Sequence, residues 1–178
     1  AMESRGLGDV YKRQVYHNTI YGTGTGIYMS DPARSDHLIT GNLVFTDASG
    51  WIGATNVAGN LSYSLAEADS VVTNPGTSLD SGLDFFPLDT MAEGSANSLA
   101  VFDSDVGRDV DFNGTAKDAS LSTYRGAYHG SGTNPGWPLQ ADIKVLGAAP
   151  TVLPPLLYVS QIFSADWGID FLDDSVVD

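Results

Sequence analysis

An all-β solenoid is the fold class this sequence predicts, and three observations predict it. Asparagines at 18, 42 and 60 are each preceded at three positions by a β-branched residue, Val15, Ile39 or Val57. Each is followed at one position by Thr19, Leu43 or Leu61, and at three by an aromatic residue, Tyr21, Phe45 or Tyr63. Eight residues past the first two asparagines stands a glycine, Gly26 or Gly50, with an apolar Ile27 or Trp51 behind it. A repeat of this size cannot bury an apolar face alone, so successive copies must stack as rungs of short strands.

Each column of the repeat has a physical reading. Stacked rungs lie about 4.8 Å apart, which sets equivalent residues directly above one another. Three stacked Asn amides then hydrogen-bond along the column, as side chains do in cross-β assemblies, and this satisfies a polar group that would be costly at an inward bend. Val15, Ile39 and Val57 are expected to form an inward aliphatic row, and Tyr21, Phe45 and Tyr63 an aromatic row. The first interval is 24 residues and the second 18. The surplus, Asp31-Pro32-Ala33-Arg34-Ser35-Asp36, goes into a loop that leaves the strands in register.

After Asn60 the repeat fades, with Ala68 standing where Gly26 and Gly50 stood. Residues 65–69 suit one helical turn, while Asn74-Pro75-Gly76 and Asp80-Ser81-Gly82 are turn chemistry. This stretch is expected to cap the solenoid, since a bare last rung exposes apolar surface and strand edges. Val101-Phe102 and residues 143–146 are further strand candidates. Pro150, Pro154 and Pro155 mark a linker, residues 156–163 a strand, and the rest an acidic end.

The runs Tyr16-His17-Asn18-Thr19-Ile20-Tyr21, Gly26-Ile27-Tyr28-Met29 and Ile39-Thr40-Gly41-Asn42-Leu43-Val44-Phe45 resemble coils of right-handed parallel β-helix proteins of the pectate-lyase-like superfamily. Five further blocks resemble the C-terminal end of many such bacterial proteins. They are Val72-Thr73-Asn74-Pro75-Gly76, Leu83-Asp84-Phe85-Phe86-Pro87-Leu88, Gly94-Ser95-Ala96, Asp111-Phe112-Asn113-Gly114-Thr115 and Arg125-Gly126-Ala127-Tyr128. Their counterparts read approximately F-x-N-P, D-F-x-L, G-S-P-A-I-D-A-G, D-F-D-G-x-x-R and I-G-A-Y-E. Here Asn97 departs from the third block, Arg125 precedes the last glycine and His129 follows the tyrosine.

The resemblance covers residues 15–130. It implies a right-handed parallel β-helix (solenoid) fragment with an irregular C-terminal cap over residues 15–147; the change of composition after Gly147 marks residues 148–178 as a linker with an acidic tail or the start of a further domain. Residues 1–14 resemble translated adapter DNA found at the ends of assembled gene fragments, so they are expected to be a non-native leader with earlier coils lying upstream. The resemblance also implies an extracellular or cell-surface, carbohydrate-associated protein. This chain would be its non-catalytic C-terminal portion, or the tail of a polysaccharide lyase or glycoside hydrolase whose catalytic coils lie upstream.

Composition narrows the partners. A net charge of −14, from 22 acidic and 8 basic residues, opposes binding to nucleic acid, anionic lipid or polyanionic glycans unless a cation bridges them. There is no cysteine, hence no disulfide or thiolate chemistry. The apolar runs are too short for a membrane span. Polysaccharide is the partner that the resemblance implies.

No catalytic, cofactor-binding or metal residue is assigned from the sequence. Asp109-Val110-Asp111-Phe112-Asn113-Gly114 matches the first half of a Ca2+ loop, but the twelfth position is Ser120 instead of a bidentate Glu. An Asp-closed turn explains the same residues. Of the histidines, His17, His37 and His129, neither His17 nor His37 has a serine or cysteine partner at motif spacing, and a lone His beside an Asn bend reads as a turn or surface residue. Asp103 with Asp105, or Asp173 with Asp174, could flank a glycosidic bond, yet 22 acidic residues produce such pairs readily. Tyr28 and Trp51 offer sugar-stacking faces if they point outward, and Arg34 on the inserted loop, with Tyr28, is the first choice for a glycan contact.

Overall fold

The β-branched and aromatic residues around the three asparagines pair strand on strand, each pass of the chain lying in register on the one before. The computed structural model describes residues 14–29, 37–53, 56–105, 107–117, 122–137 and 139. The first pass holds β1 (Gln14–Tyr16), β2 (Thr19–Tyr21) and β3 (Ile27–Tyr28); the second holds β4 (Leu38–Thr40), β5 (Leu43–Phe45) and β6 (Trp51–Ile52); the third holds β7 (Asn56–Ala58) and β8 (Leu61–Tyr63). They build three parallel sheets, ordered β1-β4-β7, β2-β5-β8 and β3-β6. Val15 pairs with Ile39 and Ile39 with Val57; Tyr21 pairs with Phe45 and Phe45 with Tyr63; Ile27 pairs with Trp51. Every column read from the sequence is therefore a column in space.

Alternation along the strands decides which side each residue faces. Val15, Ile39 and Val57 turn inward with Ile20, Val44, Ile27, Met29 and Trp51, forming the apolar interior enclosed by the passes. Leu43 and Phe45, on either side of Val44, join a separate cluster. The aromatic row thus lies on the outside of the second sheet, with Phe45 6.2 Å from Tyr21 and 6.0 Å from Tyr63 between ring centroids.

The bend between the first two sheets is closed by the asparagines. Asn18 donates from its backbone N (2.9 Å) and its Nδ2 (3.0 Å) to Asn42 Oδ1. Asn42 repeats both bonds to Asn60 Oδ1, each at 2.9 Å. Its Nδ2 also reaches Val15 O at 2.9 Å and Thr40 O at 3.1 Å, so a fully buried amide has no idle atom. The residue before each asparagine turns the corner with positive φ: 53° at His17, 69° at Gly41 and 61° at Gly59.

The third pass departs where the glycine pattern lapses. Glu67 Oε2 accepts from Ser64 N (2.8 Å) and Ser64 Oγ (2.7 Å), and Leu65 N donates to Asp47 Oδ1 at 3.0 Å. These bonds cap a short 3-10 turn, Leu65–Glu67, which runs into α1 (Ala68–Val71), as the 65–69 stretch suggested. Beyond it β9 (Val72–Asn74) pairs antiparallel with β10 (Asp84–Pro87), and β11 (Glu93–Asn97) with β12 (Ser122–Tyr124).

The described C-terminal part packs along the outer flanks of the passes. Val71, Val72, Leu83, Phe85, Phe86 and Tyr128 pack against Leu43 and Phe45 on the second sheet. Leu99 and Phe102 pack on Tyr16 and Leu38 of the first. The reason lies in the middle pass: Leu38, Leu43 and Phe45 point outward and are apolar, so its outer surface needs covering as much as its interior. Val101-Phe102 is no strand but part of a 3-10 turn, Ala100–Phe102. The turn brings Leu99 and Phe102, three apart, to one side, where Phe102 stacks on Tyr16 at 3.7 Å.

Replacing Asn42 by Ala strips partners from both neighbouring passes inside the structure. Urea unfolding of Asn42→Ala is expected to show a loss of about 3 kcal/mol, against roughly 1 kcal/mol for Asn60→Ala at the more exposed end of the column.

Candidate functional site

Two of the three sheets carry a cover on their outer faces, and the third presents side chains to solvent. Tyr28 on β3 is 60% exposed, and Ile52, its register partner on β6, is 44% exposed. Trp51 turns the other way and packs with Ile27 and Met29 in the interior. Of the two aromatic residues singled out for sugar stacking, only Tyr28 points outward. Gly26 explains the tight approach of the chain here: a Cβ on it would lie 2.4 Å from Val44 Cγ1 and 2.7 Å from Gly50 O.

A second, polar site lies under the cover at the asparagine corner. The segment Arg125-Gly126-Ala127-Tyr128 crosses that corner: Gly126 N donates to Gly41 O at 2.8 Å and Ala127 N to Thr19 Oγ1 at 2.9 Å. Gly126 has φ of 89°, and a Cβ there would stand 2.4 Å from Thr19 Oγ1, so only glycine lets the segment this close. Asn97, which breaks the resemblance of the third block, donates to Thr40 Oγ1 at 2.7 Å and fastens β11 to the same corner.

Beneath the crossing, Lys117 Nζ lies 3.3 Å from His17 Nδ1. An ammonium can only donate, so Nδ1 accepts and the ring proton sits on Nε2, a buried atom with no hydrogen-bond partner. Burial, then the positive charges of Lys117 and Arg125 and the His129 ring, push the His17 pKa down to about 3. Burial also lowers Lys117 to about 8, against the opposing pull of Asp111 and Asp109. The stretch with half a Ca2+ loop supplies that Asp111. Its Oδ1 accepts from Asn113 N (2.8 Å) and Thr115 N (2.7 Å), and its Oδ2 from His129 N (3.0 Å). It thereby closes a tight turn and ties it to the crossing segment. Among the described residues no three His, Asp or Glu side chains converge as a metal site would need.

The other candidates separate. His17 and His37 are only 8% and 1% exposed, and of the turn and surface readings His17 takes the turn, with φ of 53° before Asn18. Asp103 pairs with Arg108 at 2.9 Å, whereas Asp105 accepts from the Tyr16 hydroxyl at 2.8 Å, so the two carboxylates serve different partners. Burial first, and Asp105 second, raise the Tyr16 pKa. Arg34, Ser120, Asp173 and Asp174, the strand candidates at 143–146 and 156–163, and the linker at 148–155 lie outside the described residues. Lys117 was missed because it meets His17 across 100 positions; the signal available was a histidine in a corner column otherwise occupied by Gly41 and Gly59.

No protein-family model, curated protein or solved structure matches the chain. No helix among the described residues is long and apolar enough to cross a membrane.

The corner gives stability a defined pH dependence. Unfolded, the His17 ring takes a proton near 6.5, but folded it does so only at about 3. Between these values the unfolded chain binds more protons, so stability is lost as pH falls through the window. Lys117 acts likewise between about 8 and 10.5, where stability rises with pH. Urea midpoints measured across both windows are expected to flatten below pH 6.5 in His17→Gly and above pH 8 in Lys117→Met.

Proposed function

We propose that the three passes are coils of a right-handed parallel β-helix, and that this chain is the non-catalytic, carbohydrate-associated C-terminal portion of a secreted or surface protein, binding through the outer face of β3 and β6. The observation that carries this reading is the placement of Tyr28, an exposed ring on the flank whose outer side chains meet solvent. A flat aromatic ring matches the apolar face of a pyranose, and its hydroxyl reaches water. Ile52 lies one rung below, about 4.8 Å away, so a linear chain running along the stack would meet apolar contacts in succession. Tyr16 has no counterpart role, because it is held under Phe102.

Charge selects among glycans. A chain of net charge −14 repels pectate and alginate unless a divalent cation bridges them, which leaves neutral glucans as the preferred class. The carboxylates at 103 and 105 are committed to Arg108 and Tyr16, so they support no hydrolytic pair.

Affinity electrophoresis through gels containing neutral glucan, pectate or alginate, with and without Ca2+, tests the reading. Retardation is expected on neutral glucan, and Tyr28→Ala is expected to weaken it by about 1 kcal/mol or more, roughly fivefold in Kd. Leu88→Ala, exposed away from this face, should match the parent. An unretarded parent chain, or a Tyr28→Ala variant retarded equally, would overturn the reading. Release of reducing ends or unsaturated products by the parent chain would overturn its non-catalytic part.

A further inference from the structure

Three irregularities coincide at His17. Its corner column holds glycine in the other two passes, and His17 is the one non-glycine residue with positive φ among the described residues. Its Nε2 is buried and unpartnered. Its Nδ1 receives the amine of a half-buried lysine from the far half of the chain. Glycine at this corner would remove the backbone strain and the orphaned nitrogen together, so the fold itself gives no reason for a histidine.

Lys117 is equally uneconomical as a structural residue. Asp109 and Asp111 are near enough to act on its charge, yet Asp111 spends its oxygens on backbone N–H groups, and the Lys117 amine bonds a neutral ring. Gly41 makes room for that ring, since a Cβ there would stand 2.6 Å from His17 Cδ2.

We propose that Lys117 is a reactive amine, positioned by His17, which forms a covalent imine with small aldehydes. His17 Nδ1 takes one N–H of the neutral amine and fixes its orientation, leaving the nitrogen lone pair free to attack. A C–N bond forms to the carbonyl carbon, the carbonyl oxygen gains a proton to give a carbinolamine, and loss of that oxygen as water leaves C=N. The balance is amine plus aldehyde to imine plus water, with no oxidant or reductant. Burial supplies the neutral amine, for a lysine lowered to about 8 is substantially deprotonated at mildly alkaline pH, where an ordinary lysine is almost wholly charged. His17 is a positioning residue in this scheme. The inference is independent of the open face and of any glycan bound there.

The chain has three lysines, Lys12, Lys117 and Lys144, which makes the test internally controlled. The full chain is treated with glycolaldehyde and cyanoborohydride at pH 7.5, and the reduced adducts are quantified by peptide mass spectrometry. Lys117 is expected to be trapped about tenfold faster than Lys12 or Lys144, with the excess abolished in denaturing urea. Its rate should rise with pH to a plateau with a midpoint near 8. His17→Gly is expected to melt no lower than the parent, because it adopts the residue of the other two corners, and to lose most of the excess. His17→Asn, which also tolerates positive φ, should behave likewise. Trapping of Lys117 no faster than the other two lysines, or an excess that survives in both folded variants, would overturn the proposal.

Discussion

The buried amide of Asn42 is the contact on which the rest of the molecule depends. It accepts two bonds from the pass before, makes two with the pass after, and ties down Val15 O and Thr40 O besides. A slip of one residue would turn Val15, Ile39 and Val57 outward and break every one of these bonds at once, so apolar pattern and polar column enforce the same register. The loop surplus in the first pass then does no harm, because the column, and not the loop length, sets which residues stack.

Once the register is fixed, the middle pass dictates the other half of the fold. Val44 fills the interior, which sends Leu43 and Phe45 to the outside. A single layer of rungs cannot hide both sides of a strand that is apolar on both. The chain after Ser64 therefore folds back along the flanks, with Phe85, Phe86 and Tyr128 over the second sheet and Leu99 and Phe102 over the first. Glycine at Gly126 and the asparagine at Asn97 fasten this cover to the corner, where backbone approach and a single hydroxyl contact are what the geometry demands.

Legibility in the sequence follows the range of the interactions. The asparagine ladder, the aliphatic row and the Ile27–Trp51 pairing were readable because the repeat prints each column at fixed offsets. The outward placement of Phe45 was implicit in the alternation with Val44, but a row of aromatic residues does not announce its side. Which surface the C-terminal segments cover is not legible, because turn-rich segments carry no periodicity to say where they lie. Val101-Phe102 misled for a related reason: two adjacent apolar residues suit a strand, whereas the pair that matters is Leu99 and Phe102. Of the sites, Tyr28 could be named in advance but not its direction, and Lys117 could not be named at all.

The ladder also has a direction. In each step the earlier asparagine donates and the later one accepts, so its amides point one way along the stack. A further pass of 18 residues, the spacing from Asn42 to Asn60, inserted between existing ones would meet on each side the donors and acceptors already present there. Gene duplication within such a chain can lengthen it one pass at a time without redesigning either neighbour, provided the new outer face is polar enough to do without a cover. The limit on growth is set by the flanking segment, whose apolar patches match one particular pass and have no repeat of their own to extend.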